Sequence, residues 1–316
     1  MWRLSRRHRC ERGAVAVVVA IWMVVALGFA AISIDVGSIY SDKKQLQNGA
    51  DAAALAIAES CVRGSCVDSA DQYAKANKLA TGSVATGKVV FPGTDYTDGV
   101  VVVQTDTLHQ NWFASVLGMA TTPISATATA KWGYPSGGAV FPLTFSLCAF
   151  WKATGGWSSD GVPHLQQSTV IHIKESACTP PAHNEVPGGF GELQGTACVA
   201  TVLAGGEIDS DPGNNGPNSC NGFDWSSIIN TTVLVPIFKA YEDTGKNGKY
   251  QIYGLAAFTI TAICLGPKAH EPSTMTECPS DKRIEGNFEQ YVSYKGQFDV
   301  DPNAPHLGVQ TVKLTA

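Results

Sequence analysis

Charged residues are scarce in this sequence, and the motifs of several enzyme classes are missing from it. Only 16% of the 316 residues are Asp, Glu, Lys or Arg, whereas an average soluble protein has about 25%. The sequence contains no HExxH motif, no GxSxG motif, no P-loop and no GxGxxG motif. These absences remove the simplest metalloprotease, hydrolase and nucleotide-binding interpretations, and the sequence indicates no catalytic residue, no metal ligand and no cofactor.

The few charges are unevenly distributed along the chain. The first 12 residues contain five Arg and one Glu, a balance of +4. The net charge of the whole chain is −5, so the residues after position 12 carry −9. Nucleic-acid binding requires clustered Lys and Arg that neutralise phosphates. The acidic balance after residue 12 therefore predicts no nucleic-acid partner.

The basic residues 1–12, predicted to form a cytoplasmic tail, precede a long uncharged segment. Gly13 to Ile34 contains 22 residues without a charge, which as a helix span about 33 Å, enough for a bilayer core of about 30 Å. Arginines before such a span favour a cytoplasmic N-terminus. We expect a single-pass cell-membrane protein whose chain after Asp35 is extracytoplasmic. A cleaved signal peptide and a buried core helix are the alternatives, but the former usually has a shorter apolar region.

The helical pattern continues beyond the apolar segment, over residues 14–59. Apolar or small residues recur at spacings of three, four and seven, which places them on one face of a helix. Four members of this face are predicted to act in helix packing: Ala50, Ala53, Ala54 and Ile57. By contrast, Gln47 and Asn48 are expected to face water.

Several short motifs follow one another in this N-terminal segment. RGA occurs at 12–14, DVG at 35–37, LQN at 46–48 and ADAAALA at 50–56. With these motifs the segment resembles the N-terminal part of the TadE/TadG-like proteins of Flp (Tad) pilus assembly. The resemblance implies a pilin-like protein that acts as a minor pilus component or in pilus assembly.

Two family features are missing from the sequence. Prepilins of that system carry Glu five residues after the cleavage-site glycine, and this chain has Val18 at that position. The absence of the Glu favours an anchor that is not removed by processing. Long TadG-type proteins have a von Willebrand A domain with a DxSxS metal site. No DxSxS occurs here, so no metal site is transferred.

The remaining chain is predicted to be α+β, with a disulfide-bonded and mainly antiparallel β region outside the membrane. Residues 35–132 are assigned to a pilin-like unit with a helix at Asp68–Ala80, a strand at Gly99–Thr105, a helix at Leu108–Leu117 and a strand at Ile124–Trp132. GYPSGG at 133–138 is typical of a linker. Residues 139–316 form the Cys-rich region, with strands predicted at Phe141–Phe150, Val170–Glu175, Thr232–Ala240, Tyr250–Cys264, Ile284–Tyr294 and Val309–Leu314 and a hairpin turn at Tyr241–Lys249.

Eight of the nine cysteines lie in the part predicted to be exported. They are Cys61, Cys66, Cys148, Cys178, Cys198, Cys220, Cys264 and Cys278, and the ninth, Cys10, precedes the anchor. An even set in an oxidising compartment predicts up to four disulfides, among 105 possible pairings. Short enclosed loops favour 61–66, 178–198 and 264–278, and 148–220 follows by elimination. Buried free thiols and a zinc site are the alternatives.

Two acidic loops and a group of aromatic residues are weaker signals. The loops at 209–215 and 299–303 alternate Asp and Asn, as calcium ligands do, but these residues also form ordinary turns. Trp151, Trp157, Phe190, Phe223, Trp225 and Phe288 lie near Gly-rich loops. They suit either a carbohydrate or partner surface or a packed core.

The sequence therefore favours a non-enzymatic, membrane-anchored pilus component whose partners are the cell membrane and other pilin-like or pilus-assembly proteins. A membrane-tethered extracytoplasmic hydrolase and an anchored adhesin or binding protein are the alternatives. A small-molecule ligand is not indicated by any motif.

Overall fold

The computed structural model describes residues 12–77, 85–90, 99–155, 168–180, 183–242, 247–267, 269–272, 282–293, 298–301 and 303–315. The predicted cytoplasmic tail, Cys10 and Cys278 lie outside these residues, apart from Arg12. The chain divides into two compact units. Unit 1 comprises residues 1–57, 68–90 and 102–129, and unit 2 comprises residues 58–67, 91–101 and 130–316.

A single long helix begins the described chain. Helix α1 runs from Arg12 to Val62 over 51 residues, about 77 Å at 1.5 Å per residue. Its most apolar window has a mean hydropathy of 2.8, and none of that window's residues is buried. The helix is therefore long and apolar enough to cross a membrane, and it continues without a break into the folded region.

Unit 1 packs the second half of α1 with a short helix and antiparallel strands. Its elements are α2 (Ala70–Asn77), β1 (Thr86–Val90), β2 (Val100–Gln110) and the first part of β3 (Thr121–Val140). Strand β1 pairs antiparallel with β2, from Thr86 opposite Asp106 to Val90 opposite Val102, and β2 is also hydrogen-bonded to β3. Alternate residues of β2 are buried, as expected for a strand with one face on a core.

Two glycines allow close packing in unit 1. A Cβ on Gly49 of α1 would lie 3.2 Å from the Tyr73 carbonyl oxygen and 3.3 Å from the Ala74 Cα, so glycine permits α2 to approach α1 closely. A Cβ on Gly87 of β1 would overlap the carbonyl group of Ala70. The small core beside these contacts contains Leu46, Ala74, Ala85, Ile124 and Ala126.

Unit 2 contains a large mixed sheet with an aromatic core. The strands are β4 (Leu143–Ser146), β5 (Thr169–His172), β6 (Phe190–Glu192), β7 (Ala200–Leu203), β8 (Glu207–Asp209), β9 (Thr231–Glu242), β10 (Lys249–Gly266), β11 (Ala269–Glu271), β12 (Arg283–Glu289), β13 (Tyr291–Ser293), β14 (Asp299–Asp301) and β15 (Val309–Thr315). One sheet has the order β5-β12-β10-β9-β4-β6, and β8 and β11 also pair with β10. All of its pairs with a described register are antiparallel except β4 with β9.

The β9–β10 pair confirms the predicted hairpin, with Glu242 opposite Lys249. Phe145, Phe150, Phe258 and Phe288 pack together in the core, with ring centroids 4.7–5.8 Å apart in four of their pairs. Elsewhere in unit 2, β3 continues from Ala130 to Val140 and pairs with β7 and β14, and β13 pairs in parallel with β15. The predicted fold class, a long apolar helix followed by a mainly antiparallel and disulfide-bonded β region, is confirmed.

Three local predictions differ from the structure. Residues 133–138 do not form a linker but lie inside β3, where Gly137 pairs with Leu203. The predicted strand at Phe141–Phe150 ends at Ser146, because its hydroxyl accepts a hydrogen bond from the Ala149 N–H at 2.8 Å and caps helix α3 (Leu147–Ala153). The predicted helix at Leu108–Leu117 is instead the end of β2 followed by a 3₁₀ turn at Ala114–Leu117.

Candidate functional site

Just beyond its apolar segment, α1 carries a row of polar side chains that contact β2 and the loop after it. Asp35, Ser38 and Asp42 are three and four residues apart, so they lie on one face of the helix. Asp35 is 6% exposed and Asp42 4%. We call these three residues and their partner His109 the polar stripe.

Asp35 holds the loop that follows β2. Its carboxylate accepts hydrogen bonds from the backbone N–H groups of Trp112, Phe113 and Ala114 at 2.7–3.2 Å. These groups open the 3₁₀ turn, which has no side-chain cap from its own N-terminal residue. Asp35 therefore acts as the cap of this turn from a position 77–79 residues earlier in the chain.

Opposing influences act on the ionisation of Asp35. Burial acts to raise its pKa, but the three N–H donors and the nearby His109 outweigh burial and hold the pKa below its ordinary value of 3.8. The carboxylate is therefore the form that the fold stabilises. Protonation of Asp35 weakens the attachment of the loop.

His109, the buried residue near the end of β2, connects the other two members of the stripe. Its Nδ1 atom lies 2.8 Å from Oδ2 of Asp42, and its Nε2 atom lies 3.0 Å from Oγ of Ser38. The imidazole is only 6% exposed. The order of contacts, hydroxyl to imidazole to carboxylate, is that of a Ser-His-Asp hydrolase.

The direction of the Ser38 hydrogen bond does not suit the chemistry of a Ser-His-Asp hydrolase. The Ser38 hydroxyl donates its hydrogen to the Asp35 carbonyl oxygen at 2.9 Å, and a hydroxyl has only one hydrogen to donate. A general base must face the proton that it removes, and the Ser38 hydroxyl proton is directed at the Asp35 carbonyl oxygen rather than at Nε2 of His109. The geometry suits a tie between helix and strand.

Further hydrogen bonds continue the tie along α1. The buried Thr105 hydroxyl donates to the Leu46 carbonyl oxygen at 3.0 Å. The Gln47 amide donates to Oδ1 of Asp51 at 2.8 Å and to the Thr127 carbonyl oxygen at 3.1 Å. Gln47 is therefore half-buried and bonded to β3, which differs from the expectation that it faces water, whereas Asn48 is exposed.

The four residues predicted to act in helix packing lie further along α1. Ala50, Ala53, Ala54 and Ile57 are each 0% exposed, so the fold of this single chain already covers them. A side chain with no exposed surface is not available to contact a second molecule. Contacts between chains, if made by α1, therefore involve its exposed residues, most of which lie at 15–34.

The disulfides agree only in part with the predicted pairing. The bonds present are Cys61–Cys66, Cys148–Cys178 and Cys198–Cys220, with Cα atoms 4.1, 5.7 and 4.3 Å apart. The first was predicted, whereas the predicted pairs 178–198 and 148–220 are wrong. A short enclosed loop suggested 178–198 and elimination suggested 148–220, but helix α3 places Cys148 beside Cys178. Cys264 is also disulfide-bonded, and its partner lies outside the described residues, so its pairing with Cys278 stays a prediction.

In each acidic loop one aspartate accepts hydrogen bonds from residues that follow it closely in the chain. Asp211 accepts hydrogen bonds from the Asn218 side-chain amide at 2.7 Å and from the Ser219 N–H at 2.9 Å. Asp301 accepts one from the Asn303 N–H at 2.8 Å. Among the residues that the structure describes, no group of three His, Cys, Asp or Glu side chains is arranged to hold a metal ion.

The aromatic residues singled out in the sequence are not gathered at one surface. Phe223 and Trp225 contact each other and Phe141, and Phe288 lies in the core. Trp151 is half-buried on α3, and Trp157 lies outside the described residues. Phe190 alone of the six lines a cavity in unit 2.

That cavity, in unit 2, has a volume of about 770 Å³. Phe238, Tyr241 and Tyr250 form part of its wall, and the two tyrosine rings are stacked with centroids 4.7 Å apart. Glu192, 3% exposed, also lines it and pairs with Lys282 at 2.7 Å. Burial raises the pKa of Glu192 in spite of the Lys282 partner. The cavity has the aromatic wall and buried charge of a binding site.

Sequence reasoning missed the polar stripe. Asp35 stands out in the sequence only as the end of the uncharged segment and as part of the DVG motif, and no motif singles out His109. The available signal was the spacing of Asp35, Ser38 and Asp42 on one helical face directly after the apolar segment. The partner of that face, 67 residues from Asp42, has no local signature.

A comparison with known families gives a match to one segment of the chain. Residues 13–58 match the family described as putative Flp pilus-assembly TadE/G-like. The matched segment lies within α1 and includes its apolar part, the three stripe residues that α1 contributes and the four buried packing residues. No curated protein and no solved structure matches the chain.

Proposed function

We propose that this chain is a membrane-anchored, non-enzymatic component of a Tad/Flp-type pilus system, acting in pilus assembly or as a minor pilin-like protein. The observation that carries the proposal is the TadE/G-like segment at 13–58. Its first half is an exposed apolar helix of membrane-spanning length, and its second half is fastened to a folded unit by the polar stripe. This is the construction of an anchor that presents a rigid domain at a membrane surface.

The proposed orientation has the N-terminus in the cytoplasm and the folded units outside. It is supported by the arginines before the span and by disulfides, which form and persist in oxidising compartments. Protease added to spheroplasts should remove the folded part and leave a small N-terminal fragment. Full protection of the C-terminus would contradict the orientation.

The proposed partners are other pilin-like or pilus-assembly proteins, met through helix contacts within the membrane. Residues 15–34 of α1 are exposed apart from the half-buried Ala31, and small residues there, such as Ala20 and Gly28, permit close approach of a second helix. The Ala-rich face at 50–57 serves instead to join α1 to its own fold.

The test is complementation of a deletion strain with matched variants. Asp35→Ala removes the acceptor of three backbone N–H groups, whereas Asn48→Asp places a charge on an exposed position of the same helix. We expect both proteins to reach the membrane, because the span is unchanged. Piliation, counted by electron microscopy, should fall with Asp35→Ala and stay normal with Asn48→Asp. Normal piliation in the deletion strain itself would refute the pilus role.

A tethered hydrolase is the second candidate, because Ser38, His109 and Asp42 have the contact order of a catalytic triad. A fluorophosphonate probe distinguishes the two functions. Labelling of the wild type that is lost in Ser38→Ala would favour the hydrolase. We expect no labelling of either protein, because the hydroxyl proton is directed at the Asp35 carbonyl oxygen.

An anchored binding protein is the third candidate, and the cavity of unit 2 is the observation in its favour. Tyr241→Ala would remove one of the two stacked rings from its wall. If the cavity binds a ligand needed for function, this variant should reduce adhesion or piliation without lowering the protein level. In the pilus-assembly proposal the variant is tolerated.

A further inference from the structure

We propose that the loop between β2 and β3, residues 111–120, inserts into the lipid interface at the point where α1 leaves the membrane. The inference rests on the membrane anchoring in the proposed function but not on the pilus role. It gives the protein a second contact with the bilayer, formed by a part of the chain outside the TadE/G-like segment.

The loop exposes an unusual amount of apolar surface. Its five large apolar side chains are between 44% and 85% exposed: Trp112, Phe113, Val116, Leu117 and Met119. Contiguous exposed apolar patches on folded proteins mark sites of interaction with a membrane or a protein. The exposed apolar surface of this loop therefore indicates contact with a membrane or a protein.

The hydrogen bonds of unit 1 fix the position of the loop along α1. Thr105 bonds to Leu46, His109 contacts Asp42 and Ser38, and residues 112–114 bond to Asp35. Strand β2 thus runs along α1 toward the apolar segment. The chain reverses at the loop, and β3 leads back to Thr127, which bonds to Gln47. The loop is therefore the end of this hairpin nearest the membrane span.

Asp35, which holds the loop, is the first residue after the uncharged span. The backbone N–H groups of residues 112–114 lie within 3.2 Å of its carboxylate, so the loop lies at the depth where α1 meets the interface. Ala31, one turn earlier on the same face, is half-buried, whereas every other residue described at 15–34 is exposed. This is expected if the loop covers the last turn of the span.

The composition of the hairpin suits lipid. No Asp, Glu, Lys or Arg occurs between Asp106 and Lys131, so no charge must be desolvated when the loop enters the interface. Trp is enriched at membrane–water interfaces because its ring is apolar and its N–H is polar. The loop is also hydrogen-bonded to Asp35, directly after the exposed apolar part of α1, which a bilayer must surround. Lipid is therefore the occupant that the position requires.

The test measures contact between Trp112 and lipid in the full chain. The protein, with Trp22→Phe to silence the tryptophan of the span, is reconstituted at low density into phosphatidylcholine vesicles whose acyl chains are brominated near the headgroup. Bromine quenches tryptophan only at short range. We expect a quenched component that disappears in Trp112→Phe and persists in the control Trp132→Phe, whose ring lies on β3.

Flotation of the vesicles separates the possible failures. If the protein floats but Trp112→Phe leaves the quenched fraction unchanged, the loop inference is wrong and the anchor stands. If the protein does not float, both the anchor and the loop contact are wrong. A Trp112 component that appears only at high protein density would assign the loop to contact with a second copy and would overturn the lipid proposal. Val116→Asp, which leaves the tryptophans intact, should reduce quenching of Trp112 at least twofold.

Discussion

Replacing His109 by Leu tests whether the polar stripe holds unit 1 together. The imidazole is 6% exposed and contacts the carboxylate of Asp42, which is 4% exposed, at 2.8 Å. Removing the hydrogen-bond partner of a buried polar group costs about 1–3 kcal/mol, and more when that group is charged. Asp42 keeps a further interaction, so we expect a cost of about 3 kcal/mol.

Hydrogen exchange of the full chain in nanodiscs measures this loss locally. Because about 1.4 kcal/mol corresponds to a factor of ten in an equilibrium constant, the protection of β2 amides should fall about 100-fold in His109→Leu. The control is Gln110→Ala, at an exposed neighbouring position on the same strand. It should change protection less than threefold.

The double variant Asp42→Leu/His109→Leu provides the decisive comparison. Replacing both members of a buried pair by apolar residues is often nearly neutral, so the double variant should recover most of the protection lost in His109→Leu. If instead the effects of the two single substitutions simply add, Asp42 and His109 do not act as a pair. The argument that the stripe fastens α1 to β2 would then fail.

Three further predictions concern other parts of the chain. Ala53→Asp should lower the accumulation of the protein, because an unpartnered carboxylate at a 0% exposed position costs several kcal/mol, whereas Asn48→Asp should accumulate normally in the same immunoblot. Amide protection at Trp112–Ala114 should be retained above pH 3.8 and lost as the pH falls through the lowered pKa of Asp35, because the folded state favours the carboxylate. Unchanged protection at pH 2 would contradict the role of Asp35 as the cap of the 3₁₀ turn. Non-reducing peptide mapping should link Cys148 to Cys178 and leave Cys148 free in Cys178→Ala, and a peptide joining Cys148 to another cysteine in the wild type would refute this.

Several elements could be predicted because their signals are local. The apolar run and the Ala-rich face at 50–57 indicate one long helix, and α1 extends over both. The apolar segments on either side of Tyr241–Lys249 indicate a hairpin, which β9 and β10 form. Periodicity and turn residues act over a few neighbours, so they can be recognised without knowing the rest of the fold.

The segment at Leu108–Leu117 shows where local signals fail. Its composition suits a helix, but Leu108, His109 and Gln110 belong to β2. The residues after them form only a 3₁₀ turn, whose N–H groups bond to Asp35. Partners distant in sequence thus override the local preference for a helix.

The cysteines and the buried polar residues depend on tertiary structure in the same way. Pairing by short enclosed loops succeeded for Cys61–Cys66 but failed for Cys178, because a disulfide requires Cα atoms within about 7 Å of each other and only the packing of α3 decides which cysteine is that near. The aromatic cavity of unit 2 likewise joins residues from β6, β9 and β10.

The sequence by itself determined that the chain begins with a long helix able to span a membrane, that this helix carries a TadE/G-like segment, and that a disulfide-bonded β region follows. Charge, hydropathy and helical period are properties of neighbouring residues, so each can be recognised without knowing the tertiary structure. Only the tertiary structure decided that Asp35, Ser38 and Asp42 meet a strand and a loop 67–79 residues away. It also decided that the loop lies beside the end of the apolar segment of α1, because the position of a hairpin along a helix depends on long-range hydrogen bonds that have no periodic signal in the sequence.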